Sequence, residues 1–325
     1  MASVTLAALD VGSNSIHLTV ARLAPDLSDL MRLADEVDLA RLGADVSTTG
    51  VIGPERMARA AAAIQQQAEL AHRLGAQVVL GIATEGVRAA ANGLELVERV
   101  RAETGVALEL MSGKQEAALT YWGATSGLKQ TGKRRAVLDM GGGSLELAVG
   151  KKRRVTWRDS LRLGSVTMHH RYAPSDPPTV QEMAAVRQVV AETLAPLDPP
   201  LPVSEVIVCG GTVSALTALA NRLAPDTNLP KSPGRARYLT SAQLEAALGL
   251  LETLPADEVS RRYDVDEGRA RLLPSGGAVL LAAMARLDVG VLRSRRRGIR
   301  EGAMLTYART GGRWLAAAKR GDLNV

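Results

Sequence analysis

Two short stretches of this chain align without a gap at an offset of 129 residues: "AALDVGSNSIHLTV" (7–20) and "AVLDMGGGSLELAV" (136–149). Each reads as a strand, a turn rich in glycine or small polar residues, and a second strand. Asp10 matches Asp139 and Gly12 matches Gly141. An offset of this size is too long for a solenoid unit, whose period is about 20–50 residues. It predicts two similar domains, each opening with the same hairpin. A length of 325 residues agrees, since a domain takes about 100–200.

Around these hairpins the elements alternate. "AQVVLGIAT" and "VALELMS" read as strands. "PERMARAAAAIQQQAELAHRLG" (54–75), "LELVERVRAETG" and "KQEAALTYWGA" read as helices, the first with proline at its first position and glycine after its end. After residue 125 the order restarts with the second hairpin. Helices follow over 179–195 and 240–253, a strand over 203–211 with a helix after it, a buried helix over 275–287, and helix over 298–320 broken at Gly311-Gly312. "APDTNLPKSPGR" (224–235) reads as a loop. The pattern is that of an α/β protein.

Composition narrows the function. Hydrophobic residues make up 46%, but there are only three Trp, five Tyr and no Phe. The core therefore rests on Ala, Leu and Val. A formal charge of +6 points to a polyanionic partner. The scarcity of aromatics argues against nucleic acid, whose bases stack on aromatic side chains. Cys209 is the single cysteine, so no internal disulfide forms. The N-terminus lacks the basic segment of a signal peptide. The longest apolar run (278–285) is far shorter than a membrane span. A cytoplasmic protein, not bound to membranes, is expected.

The chemistry concentrates in the two turns. Glycine lets backbone N–H groups approach an anion, and successive N–H groups form an anion nest. Gly12, Ser13 and Asn14 would make one nest; Gly141, Gly142, Gly143 and Ser144 the other. Two such nests facing across a cleft would hold a phosphate chain. Strand alternation puts Glu146 on the same side as Ser144, away from Leu145, Leu147 and Val149. A carboxylate beside a phosphate nest repels the substrate unless a cation lies between, and Mg²⁺ is bound by one or two carboxylates plus water and phosphate oxygens. Asp139 and Glu146 are the metal candidates; Glu146 pairing with an arginine is the alternative. His17 reads as a structural polar residue and Cys209 as core. His169-His170 lack the companions of a zinc site. The basic run 151–154 falls at the far end of the second hairpin. The run 293–300 lies near the crossing between domains, where it could guide a polyanion.

Seven stretches occur in order: "AALDVGSNSIHL", "ATEGVRAAAN" (83–92), "SGKQEAAL" (112–119), "LDMGGGSLEL" (138–147), "LRLGSVTM" (161–168), "CGGTVSAL" (209–216) and "IREGAM" (299–304). Together they resemble the exopolyphosphatase / guanosine pentaphosphate phosphohydrolase (Ppx/GppA) family, in its short two-domain class. The resemblance spans nearly the whole chain. It implies two duplicated actin-like domains of the ribonuclease H-like, actin / sugar kinase / heat-shock ATPase superfamily, with the active site in the cleft between them. Domain I would comprise 1–125 with 306–325 returning to it, and domain II 126–305.

By the same resemblance Glu116 is the catalytic base that activates water, and Arg88 a phosphate-binding residue. Asp10, Gly12, Ser13 and Asn14 match the first phosphate loop; Asp139, Gly141, Ser144 and Glu146 match the second loop and metal site. Where the family has two adjacent acids, this chain has Gln115-Glu116, which removes one negative charge beside the base. The implied activity is Mg²⁺-dependent release of terminal orthophosphate from inorganic polyphosphate. Mn²⁺ is the alternative divalent ion, with a monovalent cation alongside, and a homodimer is the expected assembly. Two alternatives stay open: removal of the 5′ γ-phosphate of pppGpp, and a regulator that binds polyphosphate or alarmone without turnover.

Overall fold

The computed structural model describes residues 4–225 and 237–323. Most of the expected loop 224–235 falls outside them. The chain begins β1 (Thr5–Val11), β2 (Ile16–Leu23), β3 (Leu30–Asp38), α1 (Leu42–Thr49), α2 (Pro54–Arg73), β4 (Val78–Ala83), α3 (Glu85–Arg88), α4 (Gly93–Thr104), β5 (Leu108–Leu110) and α5 (Gly113–Thr125). It continues with β6 (Arg135–Met140), β7 (Leu145–Lys151), β8 (Arg154–Leu161), α6 (Ser165–Tyr172), α7 (Val180–Leu194), β9 (Glu205–Cys209), α8 (Gly211–Leu223) and β10 (Arg237–Thr240). Then come α9 (Ser241–Leu251), α10 (Ala256–Tyr263), α11 (Glu267–Ala270), α12 (Leu273–Arg286), β11 (Val291–Ser294) and α13 (Ile299–Thr310). A 3-10 turn over Gly311–Arg313 leads into α14 (Trp314–Arg320).

The strands build two sheets, ordered β3-β2-β1-β4-β5 and β10-β11-β9-β6-β7-β8. Read from β8, the second repeats the first and adds β10 at its edge. The repeat extends to the register. Asp10 stands opposite His17 and Asp139 opposite Glu146. Gly12 N donates to Ser15 O and Gly141 N to Ser144 O, each at 3.0 Å. The hairpin similarity seen in the sequence is thus a duplication of the whole sheet plan.

Three layers of core follow from the strand pattern. In β1, Ala7, Leu9 and Val11 face the helices α2 and α4, while Leu6 and Ala8 face the other way. In β6, Ala136, Leu138 and Met140 pack under α7, α8 and α12, while Val137 faces back. The back faces of both sheets share one core with α5, α13 and α14. Strands buried on both faces need apolar residues at nearly every position, which is why these segments are legible in the sequence. The edge strand β3 was not legible: its residues include Arg32, Asp35, Glu36 and Asp38, the charged dressing of a protected edge.

In the central layer α5 and α13 approach closely enough to exclude side chains. A Cβ at Gly302 would stand 2.6 Å from the Leu119 carbonyl carbon, and one at Gly123 would stand 2.7 Å from Gly302 N. Among the described residues, no helix is long and apolar enough to cross a membrane.

Candidate active site

The N-terminal ends of β2 and β7 and the C-terminal ends of β1 and β6 meet at a cavity of about 330 Å³ between the sheets. Asp10, Gly12, Ser13, Asn14, Glu116, Asp139, Gly141, Gly142, Gly143, Ser144 and Glu146 all line it. Residues separated by more than a hundred positions are therefore brought together. Arg88 does not line the cavity; it stands behind Glu116.

The two loops abut. A Cβ at Gly143 would lie 2.6 Å from Ser13 Oγ, and one at Gly142 would lie 3.4 Å from the Cβ atoms of Ser13 and Asn14. Glycine at these positions permits that approach. The loop carbonyls are taken up behind: Gly141 O accepts from Ser165 N, and Gly142 O from Val166 N and Thr167 N. Ser13 O accepts from Gly43 N and Asn14 O from Arg41 N. A trans peptide plane that turns its carbonyl one way turns the following N–H the opposite way. The start of α6 and the segment before α1 thus orient both loops with their amides away from the flanking elements.

Glu116 sits in the first turn of α5. Ser112 caps that helix, accepting from Gln115 N at 3.4 Å, while Gln115 Oε1 accepts from Ser112 N at 3.0 Å. Gln115 therefore closes a capping box. It serves the helix end that carries Glu116, a role the sequence comparison did not reveal. Glu116 is only 4% exposed. Arg88 Nη1 donates to both Glu116 Oε1 and Met111 O, and Arg88 Nη2 donates to Glu85 Oε2 at 2.6 Å. The expected phosphate-binding arginine is engaged by carboxylates.

Four carboxyls share this space, Glu116 and Glu146 buried and Asp10 and Asp139 half-buried, and each is harder to ionise than usual. Burial raises Asp10 to about 6; Arg300 opposes the shift and Asp139 adds to it. Burial and the Glu146 charge hold Glu116 well above the ordinary range, partly offset by Arg88. Burial raises Asp139 against a hydrogen bond from Thr120. Burial raises Glu146 to about 8, with hydrogen bonds from Ser144 and Ser160 opposing and Asp139 reinforcing. Thr120 Oγ1 donates to Asp139 Oδ2 at 3.0 Å, and Ser160 Oγ donates to Glu146 Oε1 at 2.8 Å. Asp10 Oδ1 is buried without a hydrogen-bond partner. His17 shares a 2.7 Å hydrogen bond with Ser15 Oγ, and burial, then Arg300 and Arg269, lower it to about 3.

Several contributors escaped the sequence reading. Thr120 had a signal, since it follows Glu116 by four residues on one helix face. Ser160 is the register partner of Glu146 across β7 and β8, which no sequence pattern announces. Glu85 and Arg269 also line the cavity. The basic run 293–300 is divided between structural pairs and the cavity wall. Arg293 pairs with Glu205 at 2.7 Å, Arg295 Nη1 donates to Ala124 O at 2.5 Å, and Arg297 pairs with Asp29. Arg295, Arg296 and Arg300 also line the cavity. Arg300 Nε donates to Thr19 Oγ1 at 2.8 Å. Cys209 is buried core, as expected, with its Sγ 3.0 Å from Arg297 O.

Two repeated sheets with a polar cavity between their hairpins define a two-lobed actin-like protein. A nucleoside triphosphate hydrolase of Neospora caninum shares this fold alone, at 11% identity and a TM-score of 0.53 over 98% of this chain and 95% of its own. The profile of the Ppx/GppA phosphatase family matches residues 19–310, and the chain belongs to that family. Exopolyphosphatase 2 of Mycobacterium tuberculosis is 32% identical over 300 residues, covering 88% of this chain and 91% of the relative. The crystal structure of the Aquifex aeolicus Ppx/GppA family member superposes with a TM-score of 0.79 at 26% identity, covering 94% of this chain and 98% of that one.

Proposed function

We propose that this protein is a Mg²⁺-dependent exopolyphosphatase, releasing orthophosphate from the end of inorganic polyphosphate. The observation that carries this reading is the convergence of Glu116, fixed by Arg88, with two abutting glycine loops and three further carboxyls in one cavity.

The acid set suits a divalent cation. Four clustered carboxyls with raised pKa values, one of them with an oxygen unpartnered among the described residues, form an environment that a hard cation would relieve. Asp139 and Glu146 would hold it. Among the described residues no three acidic, His or Cys side chains form a ready-made cage, so the ion would complete its shell from water and phosphate oxygens, as Mg²⁺ does. When bound, Mg²⁺ would neutralise charge on the phosphoryl oxygens. Thr120 and Ser160 orient the two carboxylates by their hydrogen bonds.

Phosphoryl transfer to water requires positioning and charge stabilisation more than covalent chemistry. Loop amides would bind the chain's oxygens. Glu116 would orient a water in line with the terminal phosphorus and take its proton, a role for which a raised pKa is suited. Arg88 holds the Glu116 carboxylate in place from behind. An inorganic chain is favoured over a nucleotide by Arg269, whose Cζ would lie 3.2 Å from a Cβ at Gly211. That guanidinium lies over the start of α8 and sets a cation on the cavity wall where a chain of phosphates would meet it.

The test is phosphate release from long polyphosphate, tripolyphosphate, pppGpp and ATP with Mg²⁺, for the wild type and Glu116→Gln. Release from polyphosphate that falls by roughly 10²-fold or more in the variant supports the reading. Release from pppGpp alone would convert it to an alarmone phosphohydrolase, and release from none to a binding protein. Undiminished turnover in Glu116→Gln would remove that residue as the base.

A further inference from the structure

A second cavity, of about 350 Å³, lies at the opposite end of the elements that build the first. Three of them run from one cavity to the other. Helix α5 carries Glu116 in its first turn and reaches the second cavity with Trp122, Thr125 and its C-cap Ser126. Strand β7 starts beside Ser144 and leads to Lys152. Helix α13 starts at Ile299 and Arg300 and presents Leu305 and Arg309 to the second cavity. A strand of seven residues spans roughly 20 Å, so the two cavities are separate.

The second cavity is cationic. Among the described residues Lys129, Lys152, Arg153 and Arg309 line it, against the carboxylate of Asp29, which is paired with Arg297. They come from three parts of the chain: the connection after α5, the β7–β8 turn and α13. Arg309 Nη2 donates to Leu27 O, and the Trp122 indole donates to Arg153 O at 3.0 Å, which fixes the turn. Like charges gathered around a concavity repel one another unless an anion lies among them. Two of the lining residues, Leu27 and Lys152, hold left-handed backbone, with φ of 55° and 54°. A tight hairpin turn ordinarily places glycine, asparagine or aspartate in that conformation. Here the position carries a cation, and strain of this kind concentrates where a ligand is held.

We infer that this rear cavity is a second anion-binding site, distinct from the catalytic one, and that its ligand is a short phosphate chain. The cavity's volume falls within the range of small-molecule sites. Its cations, spread over several elements, suit the distributed charge of linked phosphates better than a single carboxylate. A chain bound there touches the β2–β3 turn of the first sheet and the β7–β8 turn of the second, and so bridges both lobes.

The inference does not depend on the hydrolase reading, and its test is made where that reading is silent. Tripolyphosphate and GTP are titrated in EDTA by calorimetry into the wild type, Glu116→Gln and the double variant Lys152→Gly/Arg153→Ala. Glycine at 152 keeps the left-handed turn, so the fold is retained, and a melting temperature no lower than wild type verifies this. One tripolyphosphate per chain is expected in the wild type and in Glu116→Gln, with affinity weakened roughly tenfold or more in the double variant. Equal binding of GTP identifies the triphosphate group as sufficient; binding of tripolyphosphate alone identifies an inorganic chain. Absence of binding in EDTA, or affinity that the double variant leaves unchanged, overturns the assignment.

Discussion

Replacing Gly302 by alanine probes the contact on which the central layer depends. The new methyl would stand 2.6 Å from the Leu119 carbonyl carbon and 3.1 Å from its Cα, and nearer still to the carbonyl oxygen. Carbon atoms rest at about 3.5–4.0 Å, so α5 and α13 must separate by at least about 1 Å. Both helices are enclosed by the shared core, and the obstacle is backbone, which cannot rotate away. Overpacking of this kind costs about 3 kcal/mol at the upper end of its usual range. Alanine's better helix propensity returns about 1 kcal/mol. The net loss is about 2 kcal/mol, or roughly 3 °C in melting temperature for a protein of this size. Because α5 carries Glu116 and α13 carries Arg300, the shift also moves groups across the catalytic cavity, and a 1 Å misplacement costs up to about 10²-fold in kcat. The control is Gly249→Ala, in α9, where an added Cβ meets nothing within 4 Å and stability should rise by about 0.5–1 kcal/mol. Thermal melts and phosphate-release kinetics are measured on both. If Gly302→Ala melts and turns over like Gly249→Ala, the close helix contact is not what fixes the site.

Further outcomes follow from the same geometry. Gln115→Glu should leave stability within about 0.5 kcal/mol and kcat within about twofold, because glutamate serves a capping box equally well; a large change in kcat would mean that residue 115 acts on the substrate. Burial lowers His17 from 6.5 to about 3, so its neutral form stabilises the fold above pH 6.5. That contribution is lost as pH falls toward 3, by up to about 1.4 kcal/mol per pH unit. Urea midpoints of His17→Gln should therefore depend less steeply on pH than those of wild type over that interval. The acids have the opposite sign: with Asp10 raised to about 6 and Glu146 to about 8, their contribution is fullest below the ordinary carboxylate range and fades as pH rises through those values. Mg²⁺ should then raise the melting temperature more at pH 8 than at pH 5, and Asp139→Asn/Glu146→Gln should abolish the difference. An equal Mg²⁺ effect in that variant would place the cation elsewhere.

The basic run 293–300 shows one local pattern divided between two roles, with Arg295, Arg296 and Arg300 on the wall of the first cavity. As a string of arginines it suggests a surface for a polyanion. In the fold, Arg293, Arg295 and Arg297 are committed to Glu205, Ala124 and Asp29, bracing the crossing between lobes. The run 151–154 does fall at the far end of its hairpin, and there Lys152 and Arg153 line the second cavity. Neither outcome follows from charge counts, because a charge acts on whatever the tertiary fold sets beside it.

The duplicated hairpins, the buried strands and the seven ordered motifs could be read directly, because alternation, helix period and turn chemistry are properties of neighbours along the chain. Asp10 and Asp139, Gly12 and Gly141, and the orientation of Glu146 beside Ser144 belong to that class. Tertiary structure alone decided that Ser13 would touch Gly143, that Arg88 would fasten Glu116, that Gln115 would cap a helix and that Asp10 would keep an oxygen unpartnered. Each depends on which faces of distant elements meet, and on how far burial has removed water from between them.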